Sequence, residues 1–140
     1  MKEDRLEITN CTSGYLNGKS REVVFSNLDL SFSPGETTAV LGPSGCGKST
    51  LLLTAAALLP PFSGMVSLDG LPLQKGDRRV GLILQQYGLF PWMTVWDNIV
   101  LGLRIRGGYS SRDSRRASDR AAEEVVKDLD LEGLEGKYPL

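Results

Sequence analysis

The N-terminal part of the chain alternates apolar and polar residues in short stretches, a pattern typical of strands with one face in a core. Residues 5–9 show this alternation, and residues 23–25 and 28–32 are two further short stretches of strand-forming residues. Between the first and the second of these stretches, residues 13–20 are mostly small and polar, as in turns. The pattern predicts three short strands that form an antiparallel sheet at the front of the domain.

Two nearly continuous apolar stretches, residues 37–41 and 80–84, have the composition of strands buried inside a parallel sheet. Between them, residues 50–59 are rich in strong helix formers and are followed by two prolines, which predicts a helix that ends there. Residues 63–70 predict a further strand closed by an Asp-Gly turn. Strands that alternate with a helix in this way favour an α/β domain.

The C-terminal part changes to helical periodicity. Residues 94–97 resemble a capping box and predict a helix to about Arg104. Gly107-Gly108 then interrupts the chain, and Ser110 or Ser111 can cap a second helix. Apolar residues recur at four-residue spacing in this segment and predict one amphipathic helix. They are Ala117, Ala121, Val125 and Leu129, flanked by Ala122 and Val126.

One stretch between the two buried strands carries recognisable chemistry. Gly42-Pro43-Ser44-Gly45-Cys46-Gly47-Lys48-Ser49-Thr50 fits G-x-x-x-x-G-K-[ST], a phosphate-binding loop, and it lies between a predicted strand and a predicted helix. The glycines let consecutive N–H groups turn towards phosphate oxygens, and the helix N-terminus adds further donors. Lys48 can reach the β and γ phosphates, Ser49 can ligate Mg²⁺, and Thr50 offers a hydroxyl near the α-phosphate. The alternative is a glycine-rich turn that a lysine happens to follow.

Composition narrows the class of protein further. With 140 residues, and Lys+Arg 16 against Asp+Glu 17, the chain has room for one domain with a core and is nearly neutral. This balance gives no indication of nucleic acid or an anionic membrane as a partner. No apolar run is long enough for a membrane span or a signal peptide, which favours a cytoplasmic protein. The two cysteines form no metal-binding pair, and the lack of histidine excludes histidine bases and ligands.

A group of arginines in the last predicted helix has two explanations. Arg112, Arg115, Arg116 and Arg120 could form a nucleic-acid patch. We favour a solvated helix face, because Arg115 with Asp119 and Arg120 with Glu124 have the i,i+4 spacing of ion pairs.

With these pieces placed, the chain resembles the nucleotide-binding subunit of an ABC transporter. The resemblance rests on the loop of residues 42–50, on Tyr15 upstream of it, and on Gln85 at the end of an apolar strand. It implies ATP and Mg²⁺ as cofactors, stacking of the Tyr15 ring on adenine, and contact of Gln85 with Mg²⁺ and the attacking water. Lys48 and Gln85 would then be catalytic, and Ser49 and Gln85 would ligate the metal. Without the resemblance, Gln85 is more simply a polar residue that ends a strand.

The stretch around Phe90-Pro91-Trp92, residues 89–99, is similar to one in importers of nitrate, sulfonate, taurine and thiamine precursors. The resemblance implies that this region and the helices after it meet a transmembrane permease, and that a second ATP-binding subunit packs head to tail. It leaves room for a substrate-binding protein, and it implies a cytoplasmic subunit held at the inner face of the membrane by the permease. Considered alone, Trp92 and Trp96 are packing aromatics that could share one helix face.

The fold that the resemblance implies is α/β: a P-loop NTPase with an N-terminal antiparallel β subdomain, a partial parallel core sheet and the start of a helical subdomain. The ATP-binding RecA-like core would cover residues 1–93 and the helical subdomain residues 94–140, both incomplete. The family's L-S-G-G-Q signature, its Asp-Glu strand and its switch histidine do not occur in the sequence. We therefore expect a piece of a longer transport ATPase that alone has no appreciable turnover and leaves an apolar sheet edge unpaired.

Other classes of protein use the same loop. A small-molecule kinase normally has it close to the N-terminus, whereas here strand-like sequence precedes it. A GTPase would need a guanine-reading Asn-Lys-x-Asp segment, which does not occur, and ABC ATPases of DNA repair separate the loop and the glutamine widely. An interaction module that only senses ATP stays open as a non-enzymatic alternative.

Overall fold

The structure is a computed structural model that describes residues 5–85, 88–107 and 109–139. The chain divides into two compact units, Met1–Leu82 and Ile83–Leu140. The domain boundary that we predict after residue 93 lies further along the chain and stays a prediction. Gln86 and Tyr87, which follow the second predicted buried strand, and Gly108, which belongs to the predicted break between helices, lie outside the described residues.

The first unit contains a four-stranded antiparallel sheet in the order β2-β1-β3-β4. Strand β1 covers Leu6–Asn17 and strand β2 covers Ser20–Phe32. The turn predicted over residues 13–20 is therefore wrong in extent, since only residues 18 and 19 form it. Cross-strand pairing, such as that of Tyr15 with Glu22, overrides the local preference of small polar residues for turns. The predicted antiparallel sheet is confirmed, but the prediction of three short strands before the loop is wrong, because residues 23–25 and 28–32 belong to the one long strand β2.

A second, shorter hairpin completes the sheet. Strand β3 covers Ser63–Leu68 and pairs with β1, and strand β4 covers Leu71–Pro72 and pairs with β3. Asp69 and Gly70 between them have positive φ angles of 56° and 74°. Two consecutive positive φ angles are the type I′ geometry that Asp-Gly favours, so the predicted turn is confirmed.

The core of the first unit lies between the sheet and one helix. Helix α1 covers Lys48–Ala55. Ile8, Cys11 and Val66 are the buried apolar side chains of the sheet, and Leu51 and Ala55 of α1 pack against them. Because Lys48 is the first residue of this helix, the packing of α1 on the sheet fixes the position of the loop before it.

Helix α1 ends before the two prolines that we predicted would terminate it. Ala57 has a left-handed φ of 54°, the Leu58 N–H donates to the Leu53 carbonyl at 2.9 Å, and the Ala57 N–H donates to the Thr54 carbonyl at 2.9 Å. These two bonds are those of a Schellman motif, in which the left-handed residue is usually glycine. The predicted C-terminal end of the helix is wrong. The left-handed position that ends α1 is occupied by Ala57, so the sequence has no glycine there to signal the end.

The two segments predicted as parallel strands form no strand among the described residues. Residues 37–41 and 80–84 have no strand pairing, and Leu41 and Ile83 are 89% and 88% exposed. A strand needs neighbouring strands to satisfy its backbone N–H and C=O groups, and the part of the chain described here provides none for these segments. Both strand predictions are wrong, whereas the unpaired apolar residues that we expected are present.

The second unit contains two helices with side-chain caps. Helix α2 covers Val95–Ile105, and the Thr94 hydroxyl accepts a hydrogen bond from the Asp97 N–H at 3.1 Å. Helix α3 covers Arg112–Asp128, and Ser111 is its N-cap in a reciprocal capping box with Ser114. Both predicted helices are confirmed, and Ser111 is the cap rather than Ser110. Neither helix, nor the shorter one of the first unit, is apolar over a length that would span a membrane, within the residues described.

The buried face of α3 differs from the predicted one. Ser118, Ala122 and Val126 are buried where α3 packs on α2, in which Val100 is fully buried. The main predicted stripe is wrong, because its four members Ala117, Ala121, Val125 and Leu129 are exposed. The apolar residues of α3 cover a wide arc of its surface. The part of this arc that packs on α2 is the part that also contains Ser118.

The ion pairs predicted on α3 do not form among the described residues. Asp119 instead accepts a hydrogen bond from the Tyr109 hydroxyl, and this bond raises the pKa of Tyr109. The guanidinium groups of Arg104 and Arg115 lie over the same ring, at 5.4 and 5.5 Å from its centre. Tyr109 thereby links α2 to α3 through contacts that spacing along one helix does not reveal.

Candidate nucleotide-binding site

The loop before α1 has the backbone of an anion site. Gly45 and Gly47 have φ angles of 79° and 97°, which favour glycine, and a Cβ on Gly47 would lie 2.6 Å from Cγ1 of Val24. Gly47 is the N-cap of α1, and no side chain of the described residues caps the helix. The first turn bond is that of the Leu51 N–H to the Gly47 carbonyl at 2.9 Å. The N–H groups at the start of α1 are therefore available to a ligand.

Lys48 places its ammonium group against this loop. Its Nζ donates to the carbonyl oxygens of Gly42, at 2.8 Å, and Pro43, at 2.6 Å, and lies 3.8 Å from Sγ of Cys46. These bonds fold the long side chain back along the loop, so the positive charge and the helix N-terminus belong to one surface. This surface is suited to phosphate, which is bound through both charge and N–H donors.

The other loop residues lie on the outside of the first unit. Pro43, Ser44, Cys46 and Ser49 are exposed, as are Gly42 and Gly45. The Ser49 hydroxyl, which we predict as a metal ligand, is thus open to solvent in the first turn of α1. The described residues contain no cluster of three carboxylate or thiol groups that could hold a metal ion.

Tyr15 is beside the loop, although the two are far apart in sequence. The Tyr15 hydroxyl shares a hydrogen bond of 3.2 Å with Oγ1 of Thr50, and the Tyr15 side chain is 43% exposed. Thr50 itself is buried. The structure therefore brings together the residue that we predict to stack on adenine and the last residue of the loop. The predicted contact of Thr50 with the α-phosphate stays a prediction, since Tyr15 already engages this hydroxyl.

Two residues behind the loop were missed by the sequence analysis. Ser13 and Thr54 are fully buried and share a hydrogen bond of 2.8 Å, and the Thr54 hydroxyl also donates to the Thr50 carbonyl at 2.8 Å. Ser13 had the composition of a turn and Thr54 lay inside an apolar helix. The one signal in the sequence for Ser13 and Thr54 is that a hydroxyl side chain stands at a position where a leucine could fill the core equally well.

Gln85, the other predicted catalytic residue, belongs to the second unit and is exposed. Its proposed contacts with Mg²⁺ and the attacking water stay predictions.

The aromatic stretch after Gln85 forms a turn that one amide holds together. Oδ1 of Asn98 accepts from the Phe90 N–H at 2.8 Å, and its Nδ2, which has two N–H bonds to share among them, lies 3.1, 3.1 and 2.9 Å from the carbonyl oxygens of Phe90, Met93 and Thr94. Phe90 and Trp92 meet edge to face with ring centres 5.3 Å apart, and Trp92 is 70% exposed. The prediction that Trp92 and Trp96 share a helix face is wrong, because α2 begins at Val95.

A glycine loop at the N-terminus of a helix that packs on a sheet, with a lysine folded over the loop, defines a nucleotide-binding protein of the phosphate-loop class. Comparison with protein families supports a narrower assignment, since the ABC transporter family matches residues 25–139. The chain belongs to the ABC transporter family. The resemblance found in the sequence is thereby confirmed, and nothing supports the kinase or sensing alternatives.

Individual relatives agree with this assignment. The sulfate/thiosulfate import ATP-binding protein of Caulobacter vibrioides is 44% identical over 122 residues, which are 85% of this chain and 36% of that protein. The taurine import ATP-binding protein of Burkholderia pseudomallei is 39% identical over 113 residues, 81% of this chain and 43% of that protein. This chain thus spans less than half the length of these relatives.

The fold agrees with a solved structure as well. A dimeric ATP-binding cassette in a post-hydrolysis state, bound to ADP and Pi, is similar with a TM-score of 0.76 and 28% identity. The similarity covers 96% of this chain and 61% of the cassette. The predicted fold class, a partial P-loop NTPase with an N-terminal antiparallel sheet, is confirmed at this level.

Proposed function

We propose that this chain is the nucleotide-binding part of an ATP-binding subunit of an ABC import system, and that it binds ATP with Mg²⁺ at residues 42–50. The observation that carries the proposal is the position of the Lys48 ammonium on the loop carbonyls, next to the uncapped N-terminus of α1. The names of the relatives, which are import ATP-binding proteins, support the transport role.

Lys48 keeps a donor free for the nucleotide. An ammonium group has three N–H bonds, and the carbonyls of Gly42 and Pro43 take two of them. Among the described residues, the acceptor left for the third is the weak one, Sγ of Cys46 at 3.8 Å. A charged phosphate oxygen is a much stronger acceptor than a thiol, so it would replace the sulfur without disturbing the two carbonyl bonds.

The remaining assignments divide the nucleotide between groups of the chain. Backbone N–H groups at the start of α1 hold phosphate oxygens, the exposed Ser49 hydroxyl faces Mg²⁺, and the Tyr15 ring stacks on adenine. Mg²⁺, when bound, neutralises charge on the β and γ phosphates. Gln85 would orient the attacking water and couple the nucleotide site to the permease.

The partners follow from the same assignment. A transmembrane permease would hold the subunit at the inner face of the membrane, a second ATP-binding subunit would pack head to tail, and a substrate-binding protein can deliver the transported molecule. The dimeric state of the similar cassette supports the second of these partners. The exposed Trp92 and Phe90 pair supports a contact with the permease in this region, because exposed aromatics are enriched at protein interfaces.

The decisive test is the affinity for ATP with Mg²⁺ of a Lys48→Ala variant, measured by isothermal titration calorimetry. We expect a loss of roughly 10- to 100-fold, since a hydrogen bond to a charged group contributes about 1.5–3 kcal/mol. Lys75→Ala is the matched control, because it removes the same charge from a residue that lies near Ala57 and Pro60, beyond the opposite end of α1. An unchanged affinity of Lys48→Ala, or an equal loss in Lys75→Ala, would contradict the proposed site.

A further inference from the structure

Four hydroxyl groups connect strand β1 to helix α1. Tyr15 bonds to Thr50 at 3.2 Å, Thr54 donates to the Thr50 carbonyl at 2.8 Å, and Ser13 bonds to Thr54 at 2.8 Å. Because the single proton of the Thr54 hydroxyl goes to the Thr50 carbonyl, Ser13 must be the donor to Thr54. The bonds from Ser13 to Thr54 and from Thr54 to the Thr50 carbonyl therefore have a defined direction from the strand to the helix.

Helix α1 turns Thr50 and Thr54 towards the strand, beside Leu51 and Ala55, which pack on Ile8 and Cys11. Thr50 and Thr54 are its buried residues, whereas Leu52 is 50% exposed. Burial of a hydroxyl costs free energy unless it is hydrogen-bonded, so a leucine would hold the helix on the sheet at least as well. Hydrogen bonds differ from apolar contacts in fixing direction, and a buried polar series specifies one arrangement of the two elements.

We propose that Thr50 is a positioning residue that holds the Tyr15 ring in the orientation needed to stack on the adenine base. The proposal rests on the proposed function, in which Tyr15 is the adenine-binding residue. The Tyr15 side chain is anchored at one end by the backbone of β1 and at the other by the Thr50 hydroxyl, while part of its surface stays open. The Ser13 to Thr54 bond supports this arrangement by fixing β1 against α1.

The position of Thr50 connects the two halves of the nucleotide site. Thr50 lies in the first turn of the helix whose N-terminus faces the phosphates, and its hydroxyl reaches the ring that faces the base. Because the Tyr15 ring is already oriented, it loses less rotational freedom when the adenine base binds. Thr50 therefore contributes to affinity for the base, and this contribution is absent for a ligand that has phosphates alone.

The test compares two probes, ATP and inorganic tripolyphosphate, each with Mg²⁺, by calorimetric titration of the chain. Tyr15→Phe keeps the stacking ring and removes its hydroxyl, and Thr50→Val keeps the shape of the threonine and removes its hydroxyl. We expect each variant to weaken ATP binding roughly two- to tenfold, the range for one lost hydrogen bond. Tripolyphosphate binding should be unchanged in Tyr15→Phe. Thr50→Ser, which retains the hydroxyl, should restore ATP binding to that of the natural chain.

A double variant separates positioning from a general effect on the fold. If the Tyr15 to Thr50 bond is responsible, Thr50→Val in a Tyr15→Phe background should not lower the ratio of ATP to tripolyphosphate affinity any further. An unchanged ratio in Tyr15→Phe, or an equal loss of both probes, would overturn the proposal. Neither result would affect the proposed nucleotide site, which Lys48→Ala and its control Lys75→Ala test separately.

Discussion

The two cysteines of the chain occupy opposite environments. Cys11 is fully buried in strand β1, and burial raises the pKa of its thiol, whereas Cys46 is exposed in the loop that we propose binds phosphate. The thiolate is the reactive form of cysteine, so the burial of Cys11 and its raised pKa both disfavour reaction there, whereas Cys46 is accessible.

We expect iodoacetamide at mildly alkaline pH to modify the folded chain at Cys46 alone. Cys11 should react only after denaturant is added, and mass spectrometry of the digested protein distinguishes the two sites. Because the folded state holds the Cys11 proton more tightly than the unfolded chain does, the stability that this thiol contributes is lost as pH rises above the pKa of the unfolded thiol. Equal labelling of both cysteines in the folded protein would contradict the burial of Cys11.

At this scale, sequence reasoning found the residues that belong to one contiguous motif. Lys48 and the glycines around it could be predicted because local backbone geometry and phosphate chemistry together require them. Ser13, Thr54 and Asn98 could not, because their roles depend on hydrogen bonds to residues that only the fold brings near. Tyr15 was found through resemblance, since its own neighbourhood in the sequence has the composition of a turn.

Elements were predictable where their signals are local. Thr94 and Ser111 begin their helices with side-chain caps, and the Asp69-Gly70 turn requires only its own two residues. The end of α1 was not predictable, because Ala57 adopts a conformation that alanine disfavours. The buried face of α3 depended on its packing against α2, and residues 37–41 and 80–84 needed partner strands that the described residues do not provide.

The left-handed alanine at the end of α1 predicts an unusual pair of substitutions. Ala57→Gly should raise the free energy of unfolding by roughly 0.5–1 kcal/mol, because glycine adopts a φ of 54° without the steric cost that alanine has. Ala56→Gly, one residue earlier at a φ of −80°, should lower it by a similar amount through lost backbone entropy. Urea denaturation of both variants measures this difference, and a destabilised Ala57→Gly would show that the left-handed conformation is not strained.

For the whole molecule, the apolar residues of the two unpaired segments are the dominant feature. Leu41 and Ile83 are almost completely exposed, and large exposed apolar side chains drive association in water. Their segments were predicted as buried strands, one of which would present an unpaired apolar edge, and their exposure follows from the lack of pairing among the described residues.

We expect the purified 140-residue chain to associate as its concentration rises, as measured by sedimentation velocity. Ile83→Lys should shift association to higher concentration, because it replaces an exposed apolar side chain with a charge. Gln74→Lys adds the same charge at an exposed polar position and should have a smaller effect. A monomer at every concentration, with a sharp cooperative thermal transition, would be inconsistent with this expectation.

The turn held by Asn98 has a consequence for any partner that meets Trp92. The side chain of Asn98 accepts a hydrogen bond from the Phe90 N–H and donates through its two N–H groups to carbonyls of residues 90–94, so this bend is held to α2 before anything docks. A surface that is already rigid loses little conformational entropy when a partner binds to it. In a rigid turn, a displacement of one end also moves the other end. The indole of Trp92 therefore belongs to a rigid turn, and the side chain of Asn98 holds that turn in place.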